Sequence, residues 1–163
     1  MPERPTRREA LAAGLAGLGA LALAGPAAAR GADEGRTLTE LVRAEEDAAF
    51  VYDAAGLGGA ATTFSEQDTE HARAIATHLE ALGLPTPGPT RGRDDLPPEA
   101  LAVLEATGEQ ARRQAAMAYE RSLIAGCLQR LGALERPNTV RTVATVMASH
   151  AQHLVSLELI RRR

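Results

Sequence analysis

The sequence predicts an all-α protein built as an antiparallel four-helix bundle, with a long central connection and one short extra helix. Composition supports this class, because 45% of the 163 residues are hydrophobic while only 2% are aromatic and tryptophan is absent. A core packed mainly from small and straight side chains favours helices. Apolar residues recur at steps of three and four in four long segments, and no segment alternates long enough to form a strand. The length fits one ordinary domain.

Capping and turn signals predict the ends of the first two long helices. Residues 37–40, Thr-Leu-Thr-Glu, form a capping box and predict a helix start. The glycine-rich segment 56–59 predicts the end of that helix. The second helix is predicted to start near Thr63 or Ser65 and to stop at Gly83.

A long connection and a short helix are predicted between the second and third long helices. The connection, residues 84–96, is rich in Pro, Gly and Arg and is long enough to cross the bundle. A Pro-Pro pair opens a short apolar helix over residues 97–106, and Gly108 marks a break before the third long helix. That helix is predicted to end at Gly132, and Pro137 is predicted to start the fourth.

Residues 1–29 have the features of an export signal, which leaves residues 30–163 as the bundle domain. Arg7 and Arg8 precede a stretch of Ala, Gly and Leu, and three alanines at 27–29 offer a small-residue cleavage site. The segment resembles a twin-arginine leader, a type of signal that exports proteins already folded. An uncleaved anchor is the alternative, which the short apolar run disfavours.

Charge and cysteine content narrow the class of protein. The chain has 18 Lys and Arg residues against 21 Asp and Glu, and no arginine cluster alternates with aromatics, so nucleic-acid binding is not expected. The single cysteine, Cys127, excludes an intramolecular disulfide, and no cysteine follows the leader to carry a lipid. We expect a small acidic protein in the periplasm or outside the cell, without stable membrane insertion if the leader is cleaved. The sequence leaves its oligomeric state open.

Six potential metal ligands lie on the bundle-facing stripes of the four long helices. In chain order they are Glu45, Asp68, His71, Glu120, His150 and His153. Residues three apart on a helix project from the same side, so Asp68 with His71, and His150 with His153, can each converge on one ion. Ionised carboxylates buried without partners are costly, and a metal ion would compensate them. Imidazole with carboxylate suits iron, manganese or zinc better than calcium or magnesium.

This order of ligands resembles the ferritin-like superfamily, in particular small exported bacterial proteins with twin-arginine leaders. The family pattern places a Glu with an aromatic seven residues later on the first helix, then Glu-x-x-His, a second Glu, and a second Glu-x-x-His. Glu45 with Tyr52 matches the first part, and residues 68–71 match the second with Asp in place of Glu. Glu120 fits the third part. Residues 150–153, His-Ala-Gln-His, have His where the family has its metal-bridging Glu.

The resemblance implies a divalent transition-metal site formed by these six residues, in the family's case with two irons, and manganese or zinc are the alternatives. Asp68 is one methylene shorter than Glu, and His150 cannot bridge two ions as a carboxylate does. We therefore expect an exported metal-binding protein with at most weak oxidase activity, and whether it is an enzyme stays open. The alternative is a metal-free structural or interaction bundle that keeps the scaffold with a degenerate site.

Several further residues carry two interpretations each. Tyr52 is either a hydrogen-bond donor to a ligand or a core aromatic residue, and the core interpretation is preferred. Cys127 is either a ligand or a small core residue, again with the core preferred. His78 either lines a route for ions or is a half-exposed surface residue. Simple solvation is expected for Glu46, Asp47 and Glu70.

Overall fold

The computed structural model of the protein describes residues 26–160, and this part contains five α-helices and no strand. The helices are α1 (Pro26–Ala55), α2 (Gly59–Ala81), α3 (Pro98–Glu105), α4 (Glu109–Arg130) and α5 (Pro137–Ile160). Two short 3₁₀ helices, Arg93–Asp95 and Leu131–Ala133, lie in the connections. The predicted all-α class is confirmed. Residues 1–25 of the expected leader lie outside the described residues.

The core and the candidate site belong to one compact unit, which begins at Glu34. The described residues before Glu34, which form the first turns of α1, lie outside this unit. None of the helices within residues 26–160 has the length and apolar character required to cross a lipid bilayer.

Helix α1 starts earlier than the capping box predicted. It begins at Pro26. Proline is well tolerated there, because the backbone N–H groups of the first turn have no acceptor within the helix and the N–H that proline lacks is one of these. Thr39, expected to lie in the first turn, instead donates its hydroxyl to the Gly35 carbonyl oxygen at 2.9 Å. A hydroxyl bonded four residues back in the helix needs no helix end nearby. The predicted start at residues 37–40 was therefore wrong.

The other helix boundaries follow the glycine and proline signals closely. Helix α2 begins at Gly59, four residues before the earlier of its two predicted starts, because Gly58 with a φ of 76° allows the chain to re-enter a helix at once. The predicted short helix is confirmed as α3. Gly108, with a φ of 86°, interrupts the helical path before α4, and Pro137 begins α5 as predicted.

The four long helices share a core made of two apolar clusters. The first contains aromatic residues and is completed by α3, and its larger members include Tyr52, Phe64, Tyr119 and Leu157. The second contains aliphatic residues, among them Leu38, Ile75, Leu79, Val143 and Val146. Along α1, α2 and α5 the predicted ligands fall between the residues of one cluster and those of the other. This arrangement places a polar layer between two apolar ones.

Candidate metal centre

All six predicted ligands come together in the core. Five are buried, with Glu45, Asp68, Glu120 and His150 fully inaccessible, and the side chain of His71 is 15% exposed. They form two groups, each with ligand atoms within 4.8 Å of one another. The first group is Glu45, Asp68, His71 and His150, and the second is Glu120, His150 and His153. Helical spacing thus identified a set of side chains that does converge.

The first group joins α1, α2 and α5. His71 Nδ1 lies 3.2 Å from Glu45 Oε2 and 3.5 Å from Asp68 Oδ1. His150 Nε2 lies 3.1 Å from the other oxygen of Glu45, Oε1. Both oxygens of Glu45 therefore face imidazoles, one from α2 and one from α5.

The second group joins α4 and α5. His150 Nδ1 lies 3.0 Å from Glu120 Oε2, and His153 Nδ1 lies 3.2 Å from Glu120 Oε1. Tyr52 on α1 donates its hydroxyl to the same Oε1 at 2.5 Å. His150 is the one residue shared by both groups, and it faces them with different ring nitrogens.

Asp68 differs from the other carboxylates of the site. Both of its oxygens are buried, and neither has a hydrogen-bond partner among the described residues. The nearest imidazole nitrogens to Oδ1 are Nδ1 of His71 at 3.5 Å and Nδ1 of His153 at 3.9 Å. Burial raises the pKa of Asp68 to about 6 because the charged form loses its hydration. A carboxylate in this state is suited to ligating a cation.

The other two carboxylates of the site, Glu45 and Glu120, and two of its histidines stabilise one another in their charged forms. Burial alone would raise the pKa of Glu45 and of Glu120, but hydrogen bonds from the histidines lower both below the usual range. Burial alone would lower the pKa of the histidines. The nearby carboxylates of Asp68 and Glu45 instead raise the pKa of His71 to about 9, and hydrogen bonds to those of Glu120 and Glu45 raise the pKa of His150 to about 11. Without a metal, these groups form buried ion pairs.

Two residues to which the sequence had given no role in the site, Phe64 and Gln67, support His153. Its ring stacks on Phe64, with the ring centroids 4.0 Å apart. Its Nε2 lies 2.6 Å from Gln67 Oε1. Gln67 immediately precedes Asp68 and is half-buried, so it lies off the stripe of apolar residues that indicated the ligands. For Gln67, its place next to Asp68 was the one feature of the sequence that could have indicated a role in the site.

Tyr52 satisfies both interpretations that its position allowed. It packs edge-on against Phe64 in the aromatic cluster, and its hydroxyl binds Glu120. Burial, followed by the charge of Glu120, raises the pKa of Tyr52 well above its usual value, so the hydroxyl stays a donor. Cys127 is a buried core residue of the aliphatic cluster and belongs to neither ligand group of the described chain.

The structure places His78 and Asp47 in definite contacts. Both ring nitrogens of His78 face threonine hydroxyls of α5, Nε2 at 2.9 Å from Thr142 and Nδ1 at 3.3 Å from Thr139. Asp47 was expected to be solvated, but it is half-buried and accepts a hydrogen bond from Thr90 at 2.5 Å. That expectation was wrong, because the long connection folds back onto α1 and covers this side chain.

A cavity of about 560 Å³ approaches the first ligand group between α1 and α4. Its wall includes Glu45, Tyr119 and Cys127, and the ion pair between Glu40 and Arg130, with nitrogen and oxygen 3.0 Å apart, also lines it. The Tyr119 hydroxyl is buried and has no hydrogen-bond partner within the described part of the chain. The cavity leaves space beside the α1 ligand.

The chain matches no protein-family model, no curated protein and no solved structure. The resemblance to ferritin-like proteins therefore rests on the order and spacing of a few residues.

Proposed function

We propose that this protein is an exported, ferritin-like metal-binding protein that holds iron or another divalent transition metal in its core. The observation that carries the proposal is Asp68, a buried carboxylate whose two oxygens have no hydrogen-bond partner among the described residues. The imidazole of His71, 3.5 Å from Oδ1, compensates this buried carboxylate only in part, whereas a bound cation would be ligated by it directly. The donor set of carboxylates and imidazoles fits iron, manganese or zinc.

In this proposal the architecture is an antiparallel four-helix bundle of the ferritin-like type. Support comes from the four long helices, each of which supplies residues to the shared core and at least one ligand to the cluster. Export rests on the leader-like residues 1–29, whose paired arginines would direct a folded protein across the membrane. A folded protein can carry a metal acquired before export.

The residues of the chain have distinct tasks in this site. Glu45, Asp68, His71, Glu120, His150 and His153 would hold the metal. Tyr52 orients Glu120 through its hydroxyl, and the two apolar clusters keep bulk water from the ligands. Bound iron or manganese would supply redox chemistry, and zinc would supply Lewis acidity. Weak oxidase activity with iron is the reaction to assay first.

A metal-free scaffold is the second candidate function, and the internal ion pairs favour it. Glu45 and Glu120 are each satisfied by His150 and by one further histidine, so these groups are compensated without a metal. Asp68 has no hydrogen bond in this arrangement, and the nearest imidazole nitrogen, Nδ1 of His71, lies 3.5 Å from its Oδ1, which is why we prefer metal binding.

Substitution of Asp68 by Asn distinguishes metal binding from a metal-free scaffold. For metal binding, we expect the wild-type mature chain to retain Fe²⁺, Mn²⁺ or Zn²⁺ and to lose thermal stability in chelator. A free metal concentration of about 100 times the Kd should raise the free energy of unfolding by about 2.7 kcal/mol. Asp68→Asn should lose most of this response and, without metal at pH 7.5, should be more stable than wild type by about 1–3 kcal/mol, because a buried charge is removed.

Glu70→Gln is the matched control, since Glu70 is an exposed acid on the same helix. It should change neither metal content nor melting temperature. Absence of bound metal after loading, with the same melting temperature of the wild type with and without chelator, would establish the metal-free scaffold instead.

A further inference from the structure

We infer that the six ligands form two metal subsites joined by His150, which bridges two divalent ions as an imidazolate. The inference rests on the proposed metal-binding function and specifies it. It starts from the orientation of one ring: Nε2 of His150 lies 3.1 Å from Glu45 Oε1, and Nδ1 lies 3.0 Å from Glu120 Oε2. The two nitrogens of this ring therefore face different ligand groups.

A single ion cannot bind both nitrogens of one imidazole, because their lone pairs point outward from opposite sides of the ring. An ion on the Nε2 side has Glu45, Asp68 and His71 as its further ligands. An ion on the Nδ1 side has Glu120 and His153. The division of the remaining five residues into these two groups matches the two sides of His150, so no ligand is left without an ion.

The two subsites differ in the number of protein donors. With His150 included, the first subsite has two carboxylates and two imidazoles, which is a closed set of four for a tetrahedral ion. The second has one carboxylate and two imidazoles, which leaves a position for a ligand that is not part of the protein. We therefore assign a structural role to the first subsite and an exchangeable position to the second.

Charge balance in the buried layer favours the bridged pair. Three ionised carboxylates and one imidazolate carry a formal charge equal and opposite to that of two divalent cations. One divalent ion with all three histidines neutral would leave a net negative charge in a layer enclosed by apolar residues. Buried net charge is strongly unfavourable, so the neutral arrangement is preferred.

The binding step is balanced in protons and involves no electron transfer. His150 begins as an imidazolium with a proton on each nitrogen, consistent with both nitrogens facing carboxylate oxygens. Both of these protons and one proton of His71 pass to solvent, and each nitrogen of His150 then forms one bond to one ion. The histidine that replaces the family's bridging glutamate thereby retains a bridging role through a different chemical group.

Copper loading followed by electron paramagnetic resonance tests the bridge. Metal-free protein titrated with Cu²⁺ should bind two equivalents, confirmed by a parallel Zn²⁺ titration. An imidazolate bridge couples the two copper spins antiferromagnetically. The number of spins counted from the low-temperature signal should therefore be well below the number of copper ions bound. His153→Gln should bind one equivalent, in the first subsite, with a full single-spin signal. In His150→Gln, which has no bridge, the number of spins should equal the number of copper ions bound.

His78→Gln is the control, because His78 contacts threonines of α5 and belongs to neither ligand group. It should keep two equivalents and the reduced signal, with circular dichroism confirming the fold of every variant. Saturation at one equivalent, or two equivalents with a full spin count in wild type, would overturn the bridge and leave metal binding intact. Absence of bound copper and zinc would overturn the proposed function as well. Wild-type stoichiometry and spin count decide the question even if His150→Gln does not fold.

Discussion

Tyr52 and Tyr119 are buried in the same aromatic cluster, and their hydroxyl groups have opposite surroundings. The Tyr52 hydroxyl donates to Glu120 at 2.5 Å, whereas the Tyr119 hydroxyl has no partner within residues 26–160. The ring centroids of the two residues are 6.5 Å apart. The pair therefore allows the effect of a hydrogen bond to a ligand to be separated from the effect of aromatic packing.

We predict that Tyr52→Phe lowers the free energy of unfolding by about 1–2 kcal/mol, because a buried hydrogen bond is lost while the ring remains. Metal affinity should fall by about 10–100-fold, since Glu120 loses the group that orients it. Tyr119→Phe removes a buried hydroxyl without a described partner, and it should leave the free energy of unfolding unchanged or raise it by about 1 kcal/mol. Urea unfolding and metal titration of both variants measure these effects. Equal losses in the two variants would contradict the role assigned to Tyr52.

Metal affinity should rise with pH. In the metal-free protein the pKa of His71 is about 9 and that of His150 about 11, so both carry protons at neutral pH. Metal ligation needs the unprotonated nitrogens, and binding therefore competes with protons. We expect the apparent affinity to increase by at least about tenfold per pH unit between pH 6 and 8. Competition titrations with a chelator at three pH values measure the slope, and a flat profile would exclude these histidines as ligands.

The stability of the metal-free protein should have the opposite dependence on pH. A histidine whose folded pKa is raised stabilises the fold fully below its unfolded pKa of about 6.5. This contribution is lost as pH rises through the folded values of about 9 for His71 and about 11 for His150. Chemical unfolding in chelator should therefore show stability falling from pH 7 to pH 9.

At the scale of helices, α2 ends in a defined C-terminal cap. Gly83 has a φ of 70°, its N–H donates to the Glu80 carbonyl at 2.9 Å, and the N–H of Leu84 donates to Leu79 at 3.0 Å. These two bonds form a Schellman motif. The Leu84 side chain then covers Gly35 of α1, where an added Cβ would lie only 2.2 Å from Leu84 Cδ1. The motif thus joins the end of α2 to α1.

Gly83→Ala should lower the free energy of unfolding by about 1 kcal/mol, because an L-residue is strained at positive φ. Gly88→Ala is the matched control in the following connection. Gly88 has no positive φ, and no described atom lies within 4 Å of an added Cβ there. We expect the control to be neutral or slightly stabilising. Thermal unfolding of both variants measures the difference, and a loss confined to Gly88→Ala would contradict the motif.

The helix ends also explain which boundaries the sequence could predict. Glycine at positive φ and proline at the first helical position act through their own backbone geometry, so Gly83, Gly108 and Pro137 were sufficient signals. A capping box acts only when the preceding residues leave the helix. The residues before Thr37 continue as helix, and the box became part of the interior of α1.

At the scale of the whole molecule, the polar layer connects all four long helices. Glu45 comes from α1, Asp68 and His71 from α2, Glu120 from α4, and the last two histidines from α5. The apolar clusters on both sides contain residues from each of these helices as well. Metal binding should therefore stabilise the molecule as one cooperative unit.

Hydrogen exchange with and without metal tests this cooperativity. Protection should rise in α1, α2, α4 and α5 near the ligands, and it should rise less in α3 and in the connection over residues 84–96, which supply none of the six ligands. Asp68→Asn should remove the increase in all four long helices together. An increase limited to α5 would indicate a local ion held by His150 and His153 alone.

The sequence by itself determined the helical class, most helix ends and the six side chains that converge in the core. These features depend on local geometry, since steps of three and four residues place side chains on one helix face whatever the partner helix is. The contributions of Gln67 and Phe64 to His153 depend on contacts between helices, and no spacing within one segment encodes them. The tertiary structure alone decided that His150 faces Glu45 with one nitrogen and Glu120 with the other, because helix packing sets the orientation of a ring between two neighbours.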